Sequence, residues 1–241
     1  MNTSRKSTIG YDSRPAERGN AMIYVLIAIV LFAALTLIVA RQSDNSESGT
    51  LDTERVGIAA TQIIQTSMQL KQGVDQMLYG GTDPANLDFV TPDTEPAFSA
   101  GPSHVNKVFH PSGGGLVLQA LPAESLDQIS ADPPARWYIG RFNNIEWSKT
   151  IAEDVIMVAH QISTPVCRAI NQTLLGNPTP LATTSNPRDI LIDDQLHGGT
   201  NADFMIADCP ACEGVIAGCL EGPSEIPGEP IRSFYSLILS R

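Results

Sequence analysis

The chain has few charged residues, and fewer basic than acidic ones. Only 17% of its 241 residues are charged, and 15 Lys and Arg stand against 26 Asp and Glu, so that the formal net charge is −11. Proteins that bind nucleic acid neutralise phosphates with basic side chains, so this balance excludes nucleic acid as a predicted partner. The apolar fraction of 42% is too high for a chain that is disordered throughout.

Recognisable catalytic motifs are also missing. The sequence contains no H-E-x-x-H, no P-loop and no G-x-S-x-G. Its four histidines are scattered along the chain: His104, His110, His160 and His197. We therefore predict a non-enzymatic protein with no catalytic residue, cofactor or metal ligand, and no motif identifies a small-molecule ligand.

One long apolar run is present, at residues 21–40, and it contains no charged residue, Gly or Pro. At about 1.5 Å per residue its 20 residues match the roughly 30 Å hydrocarbon core of a bilayer. Four basic residues precede the run, and only two occur in the twenty residues after it, which predicts a cytoplasmic N-terminus. A cleaved secretory signal is the alternative, but its apolar region would be shorter and would end in a small-x-small site, where this chain has Ile38.

This pattern divides the chain into four segments. Residues 1–20 are predicted to be a basic cytoplasmic leader and residues 21–40 a single transmembrane helix. Residues 41–50 (RQSDNSESGT) are predicted to be a polar linker that breaks or weakens the helix. Residues 51–241 should form an acidic domain in the periplasm or outside the cell.

The junction of leader and apolar run carries a resemblance to a known family. Arg18-Gly19 is followed by Asn20 and then directly by the apolar segment. This arrangement resembles the signal of type IV pilins and pseudopilins, in which a prepilin peptidase cuts after the Gly on the cytoplasmic side. The resemblance implies that Gly19 and Asn20 are the processing site and that the helix stays on the mature protein as anchor and filament core.

Two positions depart from that family. Asn20 stands where most members have Phe or Met, and Tyr24 stands where most have a Glu that pairs with a neighbour's N-terminal amine. Minor pseudopilins of the filament tip lack this Glu, so the resemblance is to that group. The chain also resembles uncharacterised proteobacterial proteins that begin Arg-Gly-Asn-Ala, which imply no function. Without cleavage, Asn20 would simply cap the helix of an uncut anchor.

Hydrophobic periodicity predicts an α+β domain after the linker, with an amphipathic helix, an antiparallel sheet, a short extra helix and a disulfide-bearing C-terminal lobe. The predicted elements are a helix over 51–79 ended by Gly80-Gly81, a hairpin of 104–110 with 116–121, strands at 136–142 and 234–239, a strand or helix at 152–158 with strand preferred, a helix from Thr164-Pro165 to Leu175, and a short strand at 189–192.

Four cysteines are an even number, which in an oxidising compartment points to disulfides. They are Cys167, Cys209, Cys212 and Cys219, and the preferred pairs are Cys167 with Cys209 and Cys212 with Cys219. Two alternatives remain open: a redox-active Cys209-Pro210-Ala211-Cys212 pair, and a zinc site. Acidic residues of the same region are candidate calcium ligands, although a solvated loop is preferred: Asp193, Asp194, Asp203 and Asp208.

These observations predict a structural or assembly subunit, similar to a minor pseudopilin, of an envelope filament or secretion machine. The expected location is the bacterial inner membrane with a single span, and the expected partners are the membrane and other envelope or pilin-like subunits. The alternatives are a membrane-anchored periplasmic binding or adaptor domain and a periplasmic thiol-redox protein that uses Cys209 and Cys212.

Overall fold

The computed structural model describes residues 21–192 and 202–240, and for residues 21 and 37–51 it describes the backbone only. By its internal contacts the chain forms two units, Met1–Leu51 and Asp52–Arg241. The first helix, α1 (Ala21–Tyr79), contributes residues to both. The second unit holds every other helix and strand that the structure describes.

In the first unit, α1 carries a continuous apolar surface. Each side chain from Met22 to Thr36 is exposed. Over the described residues, none of the helices combines the length and hydropathy needed to cross a membrane. The predicted span at 21–40 includes side chains outside the described residues, and it stays a prediction. The predicted cytoplasmic leader, residues 1–20, also lies outside the described residues.

The polar segment 41–50, predicted to break or weaken the helix, does not break it, because α1 continues through these residues. The segment is polar but contains no Pro, and each of its polar residues lowers helix stability by less than about 1 kcal/mol. Its single Gly49 does not remove a backbone hydrogen bond. Polarity therefore predicted where the apolar run ends, but not where the helix ends.

In the second unit, α1 is amphipathic and ends at the predicted residue. Ile63, Leu70 and Val74 lie on its buried face, whereas Met68, predicted on the same face, is 56% exposed. The helix ends at Tyr79, and Gly81 follows with a φ of +93°. The N–H of Thr82 donates to the carbonyl of Met77, so the final turn is closed as in a Schellman motif.

A five-stranded sheet forms the centre of this unit, and its strand order is β1-β2-β5-β4-β3. The strands are β1 (Trp137–Arg141), β2 (Val155–His160), β3 (Leu181–Ala182), β4 (Ala217–Gly222) and β5 (Ile231–Leu239). All neighbouring pairs are antiparallel except β3 with β4, which is parallel. The predicted α+β fold is thus confirmed, and β1, β2 and β5 lie where strands are predicted. The parallel pair is a correction to the wholly antiparallel sheet.

Two further helices flank the sheet. Helix α2 (Thr164–Leu175) is the predicted short helix, with Ser163 rather than Thr164 at the N-cap and Gly176 in the left-handed region after its end. Helix α3 (Pro187–Leu191) replaces the strand predicted at 189–192. Asn186 explains the difference, because its side chain accepts from the N–H of Arg188 and Pro187 follows it, which together start a helix.

Alternation along the strands gives the sheet two buried faces. The helix face carries α1, α2 and the odd-numbered strand residues Met157, Ala159 and Cys219. The loop face carries α3 and the residues next to them in sequence: Ile156, Val158 and Leu220. Phe204 also packs on the loop face, although it lies outside the sheet strands.

The predicted hairpin of 104–110 and 116–121 is wrong. The turn between its arms forms, since the N–H of Gly115 donates to the carbonyl of His110 and that of Leu116 to the carbonyl of Val108. No ladder follows these bonds, because residues 104–110 fold as successive turns rather than as a strand. Leu116–Leu121 is left as a segment without a strand partner among the described residues.

Candidate functional site

The predicted processing site, Gly19-Asn20, lies outside the described residues. The described chain begins at Ala21, which is also the first residue of α1. Cleavage after Gly19 therefore stays a prediction from the sequence.

The four cysteines form two disulfides, so the predicted use of all four is confirmed. Cys167 on α2 is bonded to Cys219 on β4, with 5.5 Å between their Cα atoms. Cys209 is bonded to Cys212 across a single 3₁₀ turn, with 5.3 Å between their Cα atoms. The predicted pairs, Cys167 with Cys209 and Cys212 with Cys219, are wrong.

The sheet explains this pairing. Cys167 and Cys219 belong to the core of the helix face, whereas Cys209 and Cys212 belong to the core of the loop face. Either predicted bridge would have to pass through the sheet. The missing signal was β4, because a strand at Ala217–Gly222 places Cys219 on one definite face.

The Cys209–Cys212 disulfide lies in the core of the loop face. Both residues are fully buried, and Cys209 has no side-chain capping bond to the three-residue turn that follows it. A redox-active pair must be reached by its partner, and full burial closes both sulfurs to such a contact in this conformation. The zinc alternative also lacks support, because all four sulfurs are bonded to one another. The described residues contain no group of three or more His, Cys, Asp or Glu arranged to hold a metal.

The three described histidines do not form one joint site. His104 and His110 stack with 4.1 Å between their ring centroids, and Phe98 lies against His110 at 5.2 Å. Desolvation, the charge of Lys107 and the neighbouring His104 lower the pKa of His110, against the opposite effect of Glu95. His160 is fully buried in β2, with Nδ1 2.8 Å from Ser233 Oγ. His197 lies outside the described residues.

Lys107 lies beside this histidine pair and is buried. Its Nζ donates to the carbonyls of Ala97, Phe98 and Ala100 at 2.7–2.8 Å. An ammonium has three donors, and here each has a carbonyl acceptor. The buried Lys107 ammonium therefore fixes the loop at residues 97–100 by binding three of its carbonyl oxygens.

The candidate calcium ligands are used within the protein as far as they are described. Asp203 accepts from the N–H of Asn144, and Asp208 accepts from Ser185 and from the N–H of Met205. These bonds hold loops of the loop face together. Asp193 and Asp194 lie outside the described residues.

A groove of about 270 Å³ runs between α1 and the extended segment after the glycine turn. Its helix wall includes Gln69, Gln72 and Gln76, and its other wall includes residues 116–119. The lining contains no ionisable side chain. This uncharged groove is a concave surface that the sequence did not predict.

Gln161 is another residue that sequence reasoning missed. It is fully buried between β2 and α2 and has a φ of +57°. Its Oε1 accepts from the N–H groups of Ile129 and Ser130, and its Nε2 donates to the carbonyls of Ser130 and Pro133. A single polar residue between two elements gives no periodic signal, so only the structure reveals this clamp.

Comparison with models of protein families, with curated proteins and with solved structures finds no match. Arguments about function therefore depend on the residues and contacts of this chain.

Proposed function

We propose that the chain is a non-enzymatic structural or assembly subunit of pilin-like build, similar to a minor pseudopilin, in an envelope filament or secretion machine. One observation carries most weight. α1 includes the described part of the apolar run and continues without a break to Tyr79, where its last turns belong to the core of the second unit. The same helix thus contains the apolar run and packs on the sheet, as in the pilin pattern.

The apolar part of α1 supports membrane anchoring in this proposal. The large apolar side chains of residues 22–32 are exposed within the chain, and a surface of this kind needs an apolar environment from outside. A lipid bilayer or neighbouring helices in a filament would supply it. The flanking charges favour a cytoplasmic N-terminus and a domain on the far side of the inner membrane.

The domain itself supports an architectural role in an oxidising compartment. Both disulfides are buried and each joins residues on one face of the sheet, which is typical of structural bridges in secreted domains. The three described histidines, and Asp203 and Asp208, make contacts within the protein. A subunit that works by packing needs no further chemistry, so we propose no enzymatic activity.

Intact mass of the mature protein tests the proposal. The full chain is expressed in a bacterium with a prepilin peptidase and in the same strain without it. We expect a mature N-terminus at Asn20 in the first strain and retention of residues 1–19 in the second. Gly19→Ala should block cleavage, whereas Gly10→Ala, a matched change in the same leader, should not.

Two results would count against the proposal. A wild-type chain that keeps its leader in the peptidase-containing strain would favour an uncut anchor for a periplasmic binding or adaptor domain. Cleavage after Ala40 would favour a secreted protein without an anchor. Fractionation of the same cells should find the processed chain in the inner membrane.

A further inference from the structure

The segment Leu116–Leu121 (LVLQAL) has the composition of a strand but pairs with none of the strands in the described part of the chain. Leu116 and Leu118 pack on one core cluster of the helix face and Leu121 on another, while Val117 points outward and is 82% exposed. This alternation is that of a strand with one buried side. β-branched and large apolar residues at such spacing favour pairing with a neighbouring strand.

Its main chain is unpaired over most of its length. Within the described residues, the N–H and C=O groups of Val117, Leu118, Ala120 and Leu121 have no main-chain hydrogen bond. The carbonyl of Gln119 accepts only from the indole N–H of Trp137. Val117, Gln119 and Ala120 are exposed, so the unpaired groups border solvent. An exposed edge of this kind is a template for another strand.

Natural edges are usually protected by a charge, a Pro or a bulge. Residues 111–122 (PSGGGLVLQALP) contain no ionisable side chain, and Pro occurs only at the two ends. The groove next to the segment is likewise uncharged, with glutamine amides along its helix wall. The rest of the chain is strongly acidic, with a net charge of −11.

From these observations we infer that Leu116–Leu121 is a self-association edge, which pairs antiparallel with the same segment of a second copy of this chain. Two copies of an acidic protein repel each other least where their surfaces are uncharged. Each copy also brings an unpaired main chain of the same length, so the two edges satisfy each other about a twofold axis. The glutamine amides of the groove wall offer neutral donors and acceptors beside the new strand.

This inference does not rest on the proposed function, because a filament subunit and an anchored adaptor would both contain the edge. The partner is the same extended, uncharged segment of a second copy of this chain. Charged peptides, anionic lipid and nucleic acid do not fit it, since none offers a complementary ladder without bringing charge to the strip.

Crosslinking tests the pairing in the full chain in detergent micelles. Val117→Cys is treated with a bis-maleimide that reaches about 15 Å, the span of four residues along paired strands. We expect a covalent dimer on a non-reducing gel. Ile151→Cys is the matched control, because Ile151 is 98% exposed and lies outside the segment. It should give no dimer, and equal dimer from both variants would overturn the inference.

Sedimentation of the full chain in the same detergent gives an independent readout. We expect a dimer whose dissociation constant rises on the order of tenfold in Val117→Lys, because each copy then brings a positive charge to the uncharged strip and the two charges repel each other along the paired strands. Ala120→Lys should act likewise, and Ile151→Lys should not. Mass spectrometry of the intact disulfides checks that each variant is folded.

The inference is overturned if the wild type is a monomer at every concentration that can be reached. It is also overturned if Val117→Lys and Ala120→Lys leave the dimer unchanged, since association would then occur elsewhere, for example through the apolar part of α1. Neither result bears on cleavage after Gly19, so failure here is distinct from failure of the proposed function.

Discussion

The two faces of the five-stranded sheet are covered in different ways. Long helices cover the helix face: α1 and α2 place Ile63, Val166 and Ile170 against Ala159 and Phe234. The loop face is covered mainly by short or irregular segments, among them α3, Phe204 and the Cys209–Cys212 turn. Both faces are nevertheless fully buried at their centres. A dense core therefore does not require regular structure on each side of a sheet, provided that polar groups in the loops are paired.

Truncating Phe204 tests whether the loop face is as well packed as the helix face. Its ring is fully buried between Trp147 and Tyr235, which it meets edge to face. The distance between ring centroids is 4.8 Å to Trp147 and 5.5 Å to Tyr235. We expect Phe204→Ala to lower the free energy of unfolding by about 3–5 kcal/mol. Ile216→Ala, at a 60% exposed position of the same region, should change it by less than about 1 kcal/mol. Denaturant titration of the full chain measures both, and equal effects would show a loosely packed loop face.

The two disulfides, one on each face, close chain loops of very different length, so their removal should cost different amounts of stability. The bridge of the helix face joins residues 52 positions apart, and that of the loop face joins residues only three apart. On the chain-entropy model the first stabilises the fold by about 4 kcal/mol and the second by about 2 kcal/mol. Melting of the double variants Cys167→Ala/Cys219→Ala and Cys209→Ala/Cys212→Ala checks the order. A larger loss from the short bridge would mean that packing, not loop closure, governs its contribution.

The Gln161 clamp, between β2 and α2, tests how much a single buried polar side chain contributes to stability. Gln161→Ala leaves the N–H groups of Ile129 and Ser130 without their acceptor. We expect a loss of about 1–3 kcal/mol in the free energy of unfolding, the cost of unsatisfied buried groups. Hydrogen exchange should increase first at these two amides. Gln128→Ala, at an exposed neighbour, is the control and should leave both amides protected.

The smallest expected effect concerns pH and lies beside the helix face. Because the pKa of His110 is lowered in the folded state, the unfolded chain binds more protons as pH falls below about 6.5, and stability declines in that range. Desolvation disfavours the protonated ring most, the charges of His104 and Lys107 add to this lowering of the pKa of His110, and Glu95 opposes it. We expect the melting temperature of the wild type to fall more between pH 7.5 and 5 than that of His110→Gln. Parallel curves would assign the acid sensitivity to other groups.

The helix face was the easier one to predict from sequence, for a physical reason. The three- and four-residue spacing of α1 and the Thr164-Pro165 start of α2 are local signals, and both helices end at the predicted residues, Tyr79 and Leu175. Strands were also predicted at the positions of β1 and β5, and at β2 a strand was preferred to a helix although its alternation is poor. These elements carry their pattern within the segment itself.

The loop face depends on contacts between distant segments, and there prediction failed. β4 is short and contains two glycines, so its propensity is weak until β5 pairs with it. Because β4 was not predicted, the cysteines could not be assigned to one face of the sheet or the other, and the predicted disulfide pairs are wrong. The prediction of the hairpin, whose residues pack on the helix face, failed for a similar reason. Residues 104–110 are held in turns by two sets of contacts. The Lys107 ammonium donates to carbonyls of residues 97–100, and the main chain of Lys107 forms an isolated β-bridge with Asp88.

Lys107 also has a consequence for how the protein responds to its surroundings. Backbone carbonyl oxygens that converge on one point are also ligands for calcium, whose occupancy depends on the ion concentration in the medium. At residues 97–100 the group that binds the carbonyl oxygens is instead the Lys107 ammonium. Because this ammonium is covalently part of the chain, its presence in the loop does not depend on the ions in the medium. Closure of this loop should therefore be unaffected by chelators and by the calcium level of the medium.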